Sequence, residues 1–232
     1  LHLGNLRTAL LSWLQVRLKR GQWLLRIDDL DPPRVRPGAT DSALNDLRWL
    51  GLHWDGDVIF QSQRLGIYSS FLSAMRREGL LYACRCTRKQ LVGIDIYPGT
   101  CRHRALGWGI EGGRLPSWRL MVPDSFASSC GDPVVRRADG FVAYHLATVV
   151  DELSLGITEV VRGKDLAPAC LPQQALATMD ALTAHQRKRQ GIVPDFVMRL
   201  PSNGADAEAE FIFELKTLHV GTSTYPVRLP ER

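Results

Sequence analysis

The chain is defined first by what it has little of. None of its apolar runs approaches the roughly 18 residues that a membrane-crossing helix needs, so no membrane partner is expected. Cysteine is sparse: five residues, an odd number, with no secretory signal in view. That combination argues against a disulfide framework and predicts a reducing compartment, the cytoplasm. There is no internal repeat, which excludes solenoids, and no low-complexity tract. Neither sign of charge dominates. Lys plus Arg total 29 against 24 Asp plus Glu, a net charge of +5 that permits a polyanionic partner such as RNA without requiring one. What is plentiful is ordinary core material: 45% of the 232 residues are hydrophobic, enough for one large domain or two small ones.

Periodicity predicts an α/β organisation. Residues 6–20 carry apolar side chains at helical spacing and run into Gly21. Trp23, Leu24 and Leu25 open a short strand, and no hairpin signal separates it from the helix, which predicts a parallel sheet. Thr40-Asp41 is expected to cap a helix over 42–50, ended by Gly51. A further amphipathic helix is expected over 64–78, stopped by Gly79. Residues 84–114 have turn-rich composition and little periodicity, and are expected to form an inserted knuckle. Strands are expected at 117–122 and 141–144, a helix at 145–153, and a buried strand at 158–161. The last third predicts a helix over 175–189 and then two apolar segments, 192–200 and 211–220, pairing as a hairpin or small sheet.

Three places carry chemistry. Residues 26–34, Arg-Ile-Asp-Asp-Leu-Asp-Pro-Pro-Arg, follow the first strand, so their carboxylates fall at its carboxyl end, where open parallel sheets bind small ligands. Carboxylates bracketed by Arg26 and Arg34 suit a ligand bearing both an ammonium and a carboxylate. His2-Leu-Gly-Asn5 opens a helix, and free N–H groups at a helix start suit phosphate. Gly4 lets a nucleotide approach the backbone, while His2 and Asn5 offer donors. Cys84, Cys86 and Cys101 fall within 18 residues, and closely spaced thiolates are zinc's usual grip, with His103 near enough in sequence to compete as a fourth ligand.

These motifs, in this order, resemble the glutamyl subgroup of the class I aminoacyl-tRNA synthetases. His-x-Gly-Asn is similar to that family's ATP-binding signature, which assigns His2, Gly4 and Asn5 to ATP, taken with magnesium as substrate. The 26–34 block resembles the family's acidic block, whose Glu meets the ammonium of substrate glutamate. Asp28 stands there, one methylene shorter, so the contact requires a closer approach or a bridging water. Tyr144-His-Leu-Ala147 followed by Glu159-Val-Val-Arg-Gly163 resembles the segments whose Tyr and Arg hold glutamate, which assigns Tyr144 and Arg162. Asp151 and Asp165 are expected to orient these two. Cys84-x-Cys86, ten residues, Tyr97, three residues, Cys101 is similar to the zinc motif of the short glutamyl-queuosine tRNA(Asp) branch. That resemblance adds Tyr97 as the fourth ligand.

The resemblance covers residues 1 to about 168. It implies a class I Rossmann-like parallel sheet with a zinc knuckle at about 84–114, a divergent α+β tail over 169–232, and no protein nucleophile. The partners implied are glutamate, ATP and tRNA(Asp), with the queuosine base as acceptor, and a monomer is expected. Three family features are not found: the strand and Ser-Pro-Thr-Gly-type turn before His2, the Arg they carry, and a Lys-Leu-Ser-Lys-type loop. The alternatives are therefore a truncated glutamyl-tRNA synthetase or an inactive synthetase-like fusion. In the tail, Asp195, Glu214 and Lys216 resemble the core of restriction-type nucleases, in which carboxylates hold a divalent metal and a Lys assists water.

Overall fold

The computed structural model describes residues 1–31, 36–189 and 210–216; for Lys164, 180–189 and 210–216 it describes the backbone only. The element order is α1 (Leu3–Leu18), β1 (Gln22–Asp28), α2 (Ala39–Trp49), β2 (Ile59–Phe60), α3 (Leu65–Arg77), β3 (Leu81–Cys84), β4 (Ser117–Leu120), α4 (Asp124–Cys130), β5 (Val134–Arg136), α5 (Tyr144–Ser154), β6 (Glu159–Val160), α6 (Ala167–Arg189) and β7 (Glu210–Lys216). Two sheets result: a parallel one in the order β2-β1-β7-β6, and an antiparallel one in the order β3-β4-β5.

β1 is the organising strand. Alternation sends Trp23, Leu25 and Ile27 to one face, where they join Ala9 and Val16 of α1 and Ala43 and Leu47 of α2 in a closed core. The buried Trp23 indole donates to Ser12 Oγ at 2.8 Å, which seats α1 on the strand. The same alternation puts Arg26 and Asp28 together on the opposite face, toward α5. A second core gathers Tyr68, Leu72 and Met75 of α3, Leu146, Val149 and Val150 of α5, and Ala175, Leu176 and Met179 of α6. It continues through Leu81, Leu120 and Val135, one from each strand of the antiparallel sheet, so that sheet and the helices α3, α5 and α6 share one apolar body.

The α1–β1 corner has its own clamp. Asp55 accepts the Trp23 N–H at 2.7 Å and pairs with Arg17 at 2.8 Å. Burial alone would raise its carboxyl, but the Arg17 contact and the Trp23 N–H outweigh that and hold it below the ordinary carboxylate value. A depressed folded-state pKa gives stability that is present above the unfolded value of about 3.8 and is lost as pH falls through the folded one. Acid denaturation below about pH 4 is therefore expected to be less steep in Asp55→Asn than in the unaltered chain. Identical acid limbs would remove Asp55 from the account.

Several expectations need correction. α2 begins at Ala39 with Gly38, at φ +74°, as its N-cap, so Thr40 and Asp41 sit inside the first turn and cap nothing. The expected strand at 141–144 is a single bridge from Val142 to Arg136, because α5 begins at Tyr144. β6 is an edge strand with Val160 39% exposed, not a buried one. α4 and β5 were not anticipated: both are short and follow proline turns. α6 starts eight residues early, at Ala167, and carries Pro172 inside it. The strand expected at 211–220 is β7, Glu210–Lys216, which runs parallel between β1 and β6. Segment 192–200 lies outside the described residues.

Candidate active site and metal centre

Two motifs meet at one edge of the parallel sheet. α1 has 16 residues, ~24 Å of helix, and β1 has seven, ~23 Å of strand. A three-residue connection reverses the chain between them, so the start of α1 lies level with the end of β1. His2, Gly4 and Asn5 thus share the carboxyl edge of the sheet with Asp28. His2 is the N-cap of α1: its Nδ1 accepts the N–H groups of Gly4 at 3.1 Å and Asn5 at 3.3 Å. Nε2 then carries the ring proton and is the donor left for a ligand. A Cβ on Gly4 would stand 3.0 Å from the imidazole, so glycine there permits the cap.

The acidic block divides into three tasks. Asp28 is held by Arg26, whose Nε donates to Oδ1 at 2.7 Å. Asp29 accepts both the backbone N–H and the hydroxyl of Ser62, at 2.8 and 2.6 Å, tying the strand end to the turn that opens α3. Asp31 pairs with Arg137 at 3.0 Å, just before α5. Arg26 is wholly buried and turned inward, so it orients Asp28 rather than reaching a ligand. Arg34 lies outside the described residues.

Behind Asp28 stands a network that sequence reasoning placed wrongly. Asp151, 0% exposed, accepts from Arg64 Nε at 2.7 Å, Gln61 Nε2 at 2.9 Å and the Tyr68 hydroxyl at 2.9 Å, with Arg26 Nε at 3.5 Å. Burial, reinforced by the charge of Asp151, holds the Tyr68 hydroxyl far above its ordinary range, so it remains a donor. Arg26 also reaches Thr148. Asp151 therefore anchors Arg26, and through it Asp28, and does not orient Tyr144 or Arg162. Helical spacing could have found this: Tyr144, Thr148 and Asp151 fall on one face of α5.

Tyr144 lines a cavity of about 660 Å³ that reaches Cys86 of the knuckle. Arg162 lines another, of about 270 Å³, and its guanidinium bonds Glu152 and Gln173. Asp165 sits in a short 3-10 turn, Lys164–Leu166. In the tail, Glu214 and Lys216 fall in register with Arg26 and Asp28, and Asp195 lies outside the described residues.

The knuckle donors converge. The sulfurs of Cys84, Cys86 and Cys101 lie within 4.8 Å of one another, with Cys86 and Cys101 3.6 Å apart. Zinc with ~2.3 Å bonds to sulfur in a tetrahedron separates its sulfurs by ~3.7 Å. The Tyr97 hydroxyl is 3.4 Å from Cys84 Sγ and 3.7 Å from Cys86 Sγ, within reach of the same centre. His103 is not in this cluster; it lines a separate cavity beside Tyr97. Burial pushes the Cys86 thiol up to about 11 and raises the Tyr97 hydroxyl further. Burial also opposes ionisation of Cys101, but the Arg85 N–H and the Tyr97 hydroxyl overcome it and bring that thiol below its ordinary value. The donor set fits zinc.

Gly131 sets the place of Tyr97. It has φ +64°, and a Cβ there would lie 2.8 Å from the Tyr97 nitrogen and 2.9 Å from its oxygen. Asp132, next in the chain, accepts from the Tyr82 hydroxyl at 2.7 Å and the Val122 N–H at 3.0 Å, locking the knuckle's base to the antiparallel sheet. Gly131→Ala meets backbone on one side and a strained φ on the other, and is expected to cost about 1–3 kcal/mol and to weaken zinc retention. Denaturant titration with a zinc assay checks both; unchanged values for both would remove Gly131 from this role.

The chain belongs to the class I tRNA synthetases. Residues 1–94 match the model for tRNA synthetases class I (E and Q), catalytic domain. The fold is shared with a glutamate tRNA ligase from Elizabethkingia meningosepticum, at TM-score 0.60 and 21% identity, covering 93% of this chain and 47% of that one. The chain is 63% identical over 183 residues to the Glutamyl-Q tRNA(Asp) synthetase of Prochlorococcus marinus (strain MIT 9313), covering 76% of this chain and 60% of that protein. It is 44% identical over 205 residues to the Glutamyl-Q tRNA(Asp) synthetase of Chromobacterium violaceum, covering 78% and 66%. The chain thus spans about 60% of the length of the first of these relatives. Among the described residues no helix is long and apolar enough to cross a membrane.

Proposed function

We propose that this chain activates glutamate with ATP and transfers the glutamyl group to the queuosine base of tRNA(Asp), acting in the cytoplasm as a monomer. The observation that carries this reading is the 63% identity to a Glutamyl-Q tRNA(Asp) synthetase, joined to a three-cysteine, one-tyrosine cluster. Residues 1–168 form the synthetase-like body with its knuckle at 84–114, and 169–232 a divergent C-terminal segment. His2, Gly4 and Asn5 receive ATP at the start of α1, where the helix dipole favours phosphate. Asp28 receives the ammonium of glutamate, with Tyr144 and Arg162 toward its carboxylate. A substrate carboxylate on Arg162 takes the place of Glu152, which bonds it now.

A carboxylate oxygen of glutamate attacks the α-phosphorus of ATP and pyrophosphate leaves, giving glutamyl-adenylate; the acceptor then attacks the activated carbonyl and AMP leaves. No side chain acts as nucleophile. Catalysis comes from alignment and from stabilising charge on the α-phosphate. Magnesium accompanies ATP as part of the substrate. Zinc, held by Cys84, Cys86, Tyr97 and Cys101, braces the knuckle and supplies no reacting group. The test is pyrophosphate exchange: label is expected to enter ATP only when glutamate is present, and its failure to do so defeats the reading for this chain.

A further inference from the structure

The cavity of about 270 Å³ at the carboxyl end of α5 has a largely apolar wall, with Val149, Leu153, Ile157 and Val160 in it. Its polar groups are few. Arg162 donates to Glu152 and to the Gln173 side chain. Gln173, on α6, lines the same cavity and is 5% exposed. A guanidinium carries donors only, so the atom of Gln173 that faces Arg162 has to be the amide oxygen. That fixes the orientation of the amide. Its nitrogen, Nε2, then offers two N–H groups and has no hydrogen-bond partner among the described residues. A buried amide donor without an acceptor is costly, and in a cavity wall it is a donor held for a ligand.

We propose that Gln173 is a specificity-determining residue, selecting an acid over its amide: its Nε2 donates to the same substrate carboxylate that Arg162 receives. The inference rests on the glutamate reading above and adds a residue that the reading does not use. The carboxylate seated here is the one on the substrate's side chain. An oxygen held by a guanidinium and an amide is a poorer nucleophile, and the α-carboxylate has to stay free to attack phosphorus. The apolar wall suits the methylenes between the two groups. Glutamine is rejected for two reasons. Its neutral oxygen does not displace the charged Glu152 from Arg162, and its NH2 group meets Nε2 donor against donor. Gln173 follows Arg162 by 11 positions, across a turn and into another helix, so no spacing rule marks it.

The experiment uses the full chain and two readouts. Pyrophosphate exchange gives KM and kcat for glutamate, with glutamine as the alternative substrate. Alkylation of Cys170 by iodoacetamide, read by mass spectrometry, gives occupancy, because Cys170 is exposed and lines the same cavity. Glutamate, and glutarate, which lacks the ammonium, are each expected to slow that alkylation, whereas glutamine is not. Gln173→Met is close in volume and removes the donor. Its KM for glutamate is expected to rise about ten-fold with KM for ATP unchanged, and its preference for glutamate over glutamine to fall by a similar factor. Gln173→Glu keeps an acceptor for Arg162 but sets a carboxylate against the cavity, and is expected to abolish the protection of Cys170. Gln173→Met decides the matter if that added charge unfolds the chain. An unchanged KM for glutamate in Gln173→Met, equal rises for glutamate and ATP, or alkylation of Cys170 that ignores both dicarboxylates in the unaltered chain overturns the proposal. Absent exchange, with Cys170 protected in the unaltered chain and exposed in the variants, overturns the glutamate-activation reading and leaves the carboxylate seat standing.

Discussion

Asp151→Asn is expected to destabilise the chain by about 3–5 kcal/mol, because it leaves the wholly buried Arg26 and the mostly buried Arg64 beside a neutral amide. Four groups converge on that carboxylate from three places in the chain: Arg26 in β1, Gln61 and Arg64 in the turn before α3, and Tyr68 in α3. Removing one partner of a buried pair costs more than the pair ever contributed, since the remaining charge keeps its desolvation penalty. For a chain of this size the loss corresponds to a melting point lower by roughly 6–20 °C. The effect also reaches the site. Arg26 loses its anchor, Asp28 its fixed orientation, and KM for glutamate is expected to rise more than kcat falls. A loss below about 1 kcal/mol in denaturant titration would show that the network is not the pin of this site.

Cys101→Ser is expected to take the chain from about one bound zinc to none that survives dialysis. Three thiolates and one phenolate leave no redundancy in a four-coordinate site, and structural zinc contributes about 10–16 kcal/mol of apparent binding energy at neutral pH. The loss is expected to loosen Tyr82, Cys84 and Tyr97, which pack with Cys101 in a core of their own, and to leave the core under β1 intact. Tyr97→Phe is the finer comparison. It keeps the three sulfurs and the ring under Arg119 while removing one donor, so zinc is retained more weakly than in the unaltered chain. Zinc content by atomic absorption, with a chelator competition series, reads both variants. Equal retention in Cys101→Ser and the unaltered chain would dismiss the metal site; equal retention in Tyr97→Phe would remove only the tyrosine.

Much of the site was legible because it is local. The end of the apolar run Trp23 to Ile27 put the acidic block at the carboxyl edge, and the spacing of Cys84, Cys86 and Cys101 foretold a cluster whose sulfurs do converge, with Tyr97 added by the family resemblance. His2 at a helix start was legible too, although its use of Nδ1 as the cap was not. What failed was long-range. Asp151 was assigned to Tyr144 and Arg162 on nearness in sequence, whereas it turns to groups 83 to 90 residues away. Gly131 gave no local sign of being the seat of Tyr97, 34 positions earlier, since close backbone approach leaves no mark in periodicity.

By itself, the sequence determined the helices and the strand at the heart of the fold, the carboxyl-edge location of the acidic block, the three knuckle cysteines and the family. Each depends on spacing within a few residues or on a motif read in order. Only the tertiary structure decided which carboxylate serves which arginine, that β7 enters the sheet in parallel between β1 and β6, and that three arginines with no carboxylate partner among the described residues meet between knuckle and helix. Those outcomes depend on which surfaces pack together. Packing is settled by burial and by the satisfaction of buried charge across the whole chain, quantities that no short window of residues contains.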